Sequence, residues 1–365
     1  MKKWLLLLTI LVTINFIVFF YKSAMTSVKG ECSNCHTMHA SQNGNLTTPF
    51  PALIKQAMST GAGCLACHSS TDAATLYKLG DSTFPIIYNT VPYSNATAAG
   101  NFYDVTQNDT YGHNVYGIVR PDSLIGLTPP GFKSISGWGP TDWNSQLTCA
   151  GTYGCHGIRK NEAPYNNGTD PWGASFAAIR GLHHATDRPY RMLYGDINYP
   201  IKGKEHPEYE HPQSTIPGQN VYYGSGSTTA TDRQTISYFC ATCHGKFHDR
   251  GYNNATNSGI GSSSPWLRHP TDIYLNGTWS GFYTDYGLSN NTYNKETPVA
   301  FYDLTLYNAT TPITTFSNST AIVMCLSCHR AHASPYPDIL RFDYTAIKSG
   351  MGINTGCNRC HTRQR

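Results

Sequence analysis

The chain is short of charge. Asp, Glu, Lys and Arg make up 13% of its 365 residues, against roughly 25% in ordinary globular proteins. The net charge of +4 is mild and comes without a basic run, which excludes a nucleic-acid surface. Beyond the first 25 residues there is no long apolar stretch, and amphipathic helices and alternating strands are scarce. A large aliphatic core cannot be built from such a sequence. Gly (33) and Tyr (25) are abundant instead, with many Ser, Thr and Asn.

Spare cysteine is also lacking, because all 12 fall into Cys–His groups. Cys32-Cys35-His36, Cys64-Cys67-His68, Cys240-Cys243-His244, Cys325-Cys328-His329 and Cys357-Cys360-His361 are C-x-x-C-H, the attachment signature of c-type haem. Two thiols add to the haem vinyl groups and the adjacent histidine reaches the iron. The remaining pair, Cys149 and Cys155, stands in LTCAGTYGCHG and ends in His156. It reads either as a disulfide loop or as a sixth haem site of form C-x5-C-H. The second reading is favoured, with Gly151 and Gly154 letting the extra residues bulge. The expectation is six covalent haems c, each with its iron.

Haems of that number replace the missing core. The expected fold is mostly irregular and loop-rich, with a few short helices and minimal strand. It is a single domain, 25–365, wrapped around a stacked haem chain. Short helices are expected at Pro51–Thr60, Trp172–Leu182 and Asp338–Ser349. Residues 85–145 and 200–235 read as loops or short hairpins. The first cysteines of the six sites are spaced 32, 85, 91, 85 and 32 residues apart, so a close pair sits near each terminus.

Residues 1–24 have the layout of a secretory signal: Lys2 and Lys3, an apolar run Trp4–Phe20, then Ser23 and Ala24. The run is long for a signal, so an uncleaved anchor is the alternative. Either way the domain lies outside the cytoplasm. Nine N-x-T sequons, at Asn45, Asn95, Asn108, Asn167, Asn254, Asn276, Asn290, Asn308 and Asn318, are glycosylation candidates.

The chain has 15 histidines. With His36, His68, His156, His244, His329 and His361 as proximal ligands, nine are left for the second axial positions, enough for every iron to be bis-histidine. The distal candidates are His39, His113, His248, His269, His332 and one of His183 and His184. His39, His248 and His332 follow a proximal histidine by three or four residues and should serve a neighbouring haem. His206 and His211, in GKEHPEYEHPQ, read as solvated loop.

The segments CSNCHTMH (32–39), GCLACH (63–68), YGHN (111–114), PWGASFAAIRG (171–181), CATCHGKFH (240–248), LRHP (267–270), MCLSCHRAHAS (324–334) and GCNRCH (356–361) resemble, in this order, the hexahaem extracellular cytochromes of the OmcS type. These are subunits of polymeric cytochrome filaments. The resemblance implies one continuous stack of six bis-His haems, with His39 ligating a haem of the adjacent subunit, the one held by Cys325, Cys328 and His329. It also implies a homopolymeric partner and a secreted, cell-surface filament that takes electrons from redox donors there and passes them to extracellular acceptors. The third site departs from the family, which has C-x-x-C-H there with a further histidine three residues on. His183 or His184 is the replacement for that ligand. An electron-transfer protein, not an enzyme, is expected. The alternatives are a membrane-anchored quinol-oxidising cytochrome and a multihaem oxyanion reductase, which needs one open iron.

Overall fold

A computed structural model describes residues 28, 31–39, 41–42, 45–46, 53, 63–134, 140–159, 178–179, 181–185, 187–196, 198–211, 217–226, 232–248, 269, 271–275, 293–348 and 356–361. Residues 1–24, almost all of the expected helix Pro51–Thr60, most of Trp172–Leu182 and the sequons at Asn167, Asn254, Asn276 and Asn290 lie outside the described residues. The loop-rich expectation holds. The described helices run four to six residues or are single 3-10 turns, and strands run two to four.

One element exceeds that expectation. Five short strands form a sheet in the order Gly203–Lys204, Val221–Tyr223, Ala300–Phe301, Ala321–Val323, Ile273–Tyr274. Val221–Tyr223 and Ala300–Phe301 are parallel, and the other pairings are antiparallel. Two of these strands come from 200–235, read from sequence as loop or hairpin. They are too short for periodicity to reveal them, and the sheet closes only through long-range pairing.

Successive strand residues point to opposite faces, and both faces are buried. Val221, Val299, Phe301, Ala321 and Val323 pack on one side with Ile313 and Ala309. Tyr222, Ala300, Ile322 and Met324 pack on the other with Ile201, Ile236, Phe239 and Leu326. The second face meets the Ile236–Ala241 helix and the Cys325–Ser327 turn, which carry cysteines of the fourth and fifth sites. The small apolar core is therefore a platform for haem-attachment segments. Ile322 has no exposed surface, so Ile322→Ala should cost about 2–5 kcal/mol. A denaturation midpoint of the loaded variant equal to wild type would show that this sheet is not the core.

The expected helix Asp338–Ser349 does not form. The segment is two 3-10 turns, Pro337–Ile339 and Tyr344–Ala346. Asp338 and Ile339 have φ of 58° and 57°, left-handed values that a continuing α-helix cannot contain. His206 and His211 are also not solvated, being 3% and 7% exposed. His206 Nε2–H donates to the Pro217 carbonyl at 2.9 Å, and its Nδ1 accepts from Glu208 N. Its two ring nitrogens are used within the loop, which leaves no lone pair for iron.

Candidate haem sites

At the five C-x-x-C-H groups the backbone folds the same way. The histidine N–H reaches the carbonyl of the first cysteine four residues back, at 2.8 Å for His36, 3.1 Å for His68, 3.0 Å for His244 and His329, and 2.9 Å for His361. A single helical turn places positions i, i+3 and i+4 on one face. Both thiols and the imidazole therefore share a side, as one ring held at three points requires. The Ile236–Ala241 helix is set up locally for this: Thr235 caps it, accepting from Tyr238 N at 3.1 Å.

LTCAGTYGCHG reaches the same end by another route. Thr148–Ala150 and Gly154–His156 pair as two parallel strands across a tight loop. Gly151 sits at φ 91°, a conformation suited to glycine. The loop places Cys149 and Cys155, both partly exposed, on neighbouring strands.

The thiols of successive sites adjoin. Cys67 lies beside Cys35, and burial with this neighbour pushes its thiol up to about 11. Cys149 lies beside Cys64. Cys155 lies beside Cys243. Cys240 lies beside Cys325. Cys328 lies beside Cys357 and Cys360; burial first, then the adjacent thiol, pushes Cys328 and Cys360 up to about 12. Each internal site thus turns one thiol to the site before it and one to the site after. The six Cys–His groups form an unbroken series in chain order, with Cys149 and Cys155 as its third member.

The imidazoles pair across these groups. Ring centres are 6.4 Å apart for His36 and His184, 6.5 Å for His68 and His183, 6.3 Å for His156 and His332, 6.3 Å for His244 and His113, and 6.0 Å for His361 and His269. An imidazole nitrogen binds a metal at about 2.0–2.1 Å and lies roughly 1.1 Å from its ring centre, so two rings trans across one ion have centres about 6.3 Å apart. The observed spacings match that figure. Both His183 and His184 face a proximal imidazole, where one of the two was expected to supply a distal ligand. They are neighbours in a turn closed by Leu182 N to Ile179 O and His184 N to Gly181 O, and their side chains diverge to the second and first sites. His332 faces the third site, two removed from its own, rather than an adjoining one.

Orientation is set by backbone carbonyls. Nδ1–H donates to Pro85 O from His68 (2.9 Å), to Arg191 O from His156 (2.8 Å), to Pro130 O from His244 (2.7 Å), to Asp338 O from His329 (2.8 Å) and to Ala331 O from His113 (2.9 Å). With Nδ1 so occupied, Nε2 carries the free lone pair, the arrangement common to metal-binding histidine. Burial lowers His113 to about 4 and His183 and His332 to about 3. His68, His156 and His244 are also lowered by burial. Neutral imidazole is the form that ligates iron, so the residues present fit haem.

Two of those acceptors escaped the sequence reading. Arg191 and Asp338 lie in 3-10 turns at φ 50° and 58°, strain of the order of 1–3 kcal/mol each. Both turns end in leucine, as Arg-Met-Leu193 and Asp-Ile-Leu340, and each leucine bridges back, Gly157 to Leu193 and His329 to Leu340. The similarity of PYRML and PYPDIL was the available signal. Glu205 secures the first turn by accepting from Arg191 N at 2.5 Å and pairing with Arg188 at 3.3 Å.

Among the described residues, no ring pairs with His329. His39 is exposed, beside Met38 at 81% exposure. His248 ends the short Gly245–His248 helix, and its side chain is outside the description. Of the described sequons, Asn45, Asn108 and Asn308 are exposed, while Asn95 and Asn318 are half-buried.

Comparison with known proteins agrees with this geometry. A family model described as the doubled CXXCH motif matches residues 26–73 and 320–365. The C-type cytochrome OmcS of Geobacter sulfurreducens is 26% identical over 388 residues, covering 88% of this chain and 82% of that protein. Two solved structures share the fold. The outer membrane cytochrome S filament of Geobacter sulfurreducens has 20% identity and a TM-score of 0.50, covering 89% of this chain and 86% of that one. A cryo-EM structure of OmcS nanowires from the same organism has 22% identity and a TM-score of 0.51, covering 89% of each. The repeated C-x-x-C-H groups, the doubled-motif match and the shared fold make the chain similar to OmcS, with the haem-attachment motifs of a multihaem c-type cytochrome.

Proposed function

We propose that this chain is a hexahaem electron-transfer subunit that polymerises outside the cell into a conducting filament. The observation that carries the reading is the unbroken series of Cys–His groups, five with a second imidazole at 6.0–6.5 Å and one, at His329, without a described partner. When bound, haem supplies a one-electron iron couple whose potential the surrounding protein sets. The chain's residues do the rest. Two imidazoles would hold each iron and leave no face for a substrate, which favours a carrier over an oxyanion reductase. Carbonyls fix the Nδ1–H tautomer, and burial keeps the rings neutral.

The fifth site explains assembly. His39 is exposed near the start of the domain, and its own segment is tied down by Thr37 N to Leu53 O at 2.7 Å. His39 of one subunit completing the site of His329 in the next gives a head-to-tail contact that does not close, hence a filament. The relatives solved as filaments support this reading. Export follows from the signal layout of residues 1–24, and exposed Asn45, Asn108 and Asn308 are the favoured glycan acceptors.

Electron microscopy of material sheared from cells, with intact mass on the same sample, tests it. The expected result is thin filaments of a processed subunit carrying six haems. Membrane-bound monomers with an intact N-terminus would replace this reading with the anchored quinol-oxidising cytochrome.

A further inference from the structure

The third Cys–His group has three more residues between its thiols than the others, yet must present those thiols to the same ring. The loop solves part of the problem by folding onto itself. Gly154 N donates to Gly151 O at 3.0 Å and Thr148 N to Tyr153 O at 2.9 Å. A Cβ on Gly154 would stand 2.4–2.5 Å from the Ala150 backbone. Strands of three residues are too short to hold that shape alone.

Arg159 braces the loop from outside. Its Nε donates to the Gly154 carbonyl at 2.6 Å, one residue before Cys155, and its guanidinium lies within interaction range of the Cys155 thiol. Its Nη1 donates to Thr242 Oγ1, and its Cζ stands 4.4 Å over the Phe239 ring. Phe239 belongs to the Ile236–Ala241 helix and Thr242 caps it, so these contacts tie the loop to the segment bearing Cys240 and Cys243. The planar fork of arginine suits three such contacts at once, and lysine cannot reproduce it. The described ion pairs involve other arginines, Arg188 and Arg191.

We propose that Arg159 is the positioning residue that lets the five-residue spacer hold haem through both thiols and that locks the third site to the fourth. The proposal rests on the reading of Cys149 and Cys155 as a haem site. Attachment is addition of each thiol across a vinyl double bond: one C–S bond forms, the thiol hydrogen goes to the other vinyl carbon, and nothing is released or oxidised. It therefore depends on where the sulfur is held.

The test uses the full chain matured with haem. Arg159→Ala, Arg159→Lys and Arg159→Ala combined with deletion of residues 151–153, which restores C-x-x-C-H, are compared with wild type. Haems per chain come from intact mass, and unsaturated vinyl groups from the α-band of the denatured haem in pyridine. In both single variants, doubly attached haem at the third site should fall about tenfold, as expected for loss of a charge-assisted hydrogen bond. The deletion should restore it, because a two-residue spacer needs no brace. Full double attachment in Arg159→Ala overturns the proposal. So does failure of the deletion to rescue, which would assign Arg159 a general structural role. Wild type with one haem fewer than its Cys–His groups overturns the site reading itself, and is recognised because it needs no variant.

Discussion

Replacing His39 by alanine is expected to leave a folded, haem-loaded chain that does not polymerise. His39 is exposed and lies beside exposed Met38, so the substitution removes no packing within the subunit. Its effect falls on the fifth site, where His329 is held by Asp338 O at 2.8 Å and has no second described ring. Filament yield should drop at least tenfold, a loss that needs only about 1.4 kcal/mol and is well within reach when a metal ligand is removed. Two readouts make the test specific. Electron microscopy should show dispersed subunits, and electron paramagnetic resonance should show one high-spin iron per chain where wild type has none. Normal filaments, or a spectrum unchanged from wild type, would remove His39 from the interface and return His248 as the candidate for that position.

The double variant Cys149→Ser/Cys155→Ser should lose one haem and cut conduction most. Cys149 adjoins Cys64 of the second site and Cys155 adjoins Cys243 of the fourth. The third site is therefore the bridge between the two halves of the series, and without it electrons must cross a gap of a whole group. Pairing of His36 with His184, and of His361 with His269, involves no residue of this loop, so the terminal sites should stay low-spin. Intact mass checks the haem count, and the conductance of assembled filaments checks the gap. An unchanged mass would mean that these cysteines never held haem.

Much of the chemistry was legible from spacing. A C-x-x-C-H group is local: its geometry follows from one turn of backbone, so Cys32 to His36 and its four counterparts could be read without the fold. LTCAGTYGCHG was singled out through its adjacent histidine, although not how its loop closes. His113 and His269, chosen as distal candidates from supply and demand, stand opposite His244 and His361. The sources of their partners were not legible, because a histidine's distance in sequence from a proximal ligand says little about where its ring ends up. His332, three residues from His329, faces His156. His183 and His184 face different proximal rings although adjacent.

What the sequence by itself determined is the set of Cys–His groups, which imidazole follows each pair of thiols, and that too little aliphatic side chain exists for an ordinary core. Those are properties of contiguous residues. Only the tertiary structure decided the order of the sites, the pairing of imidazoles, and the carbonyls of Arg191 and Asp338 that aim two of them. It also decided that His206 and His211 are buried, and that strands at 221–223, 300–301 and 321–323 form a sheet beneath the fourth and fifth sites. Each depends on contacts between segments far apart in the chain. Axial closure needs two rings about 6.3 Å apart, and only the folded backbone sets that distance.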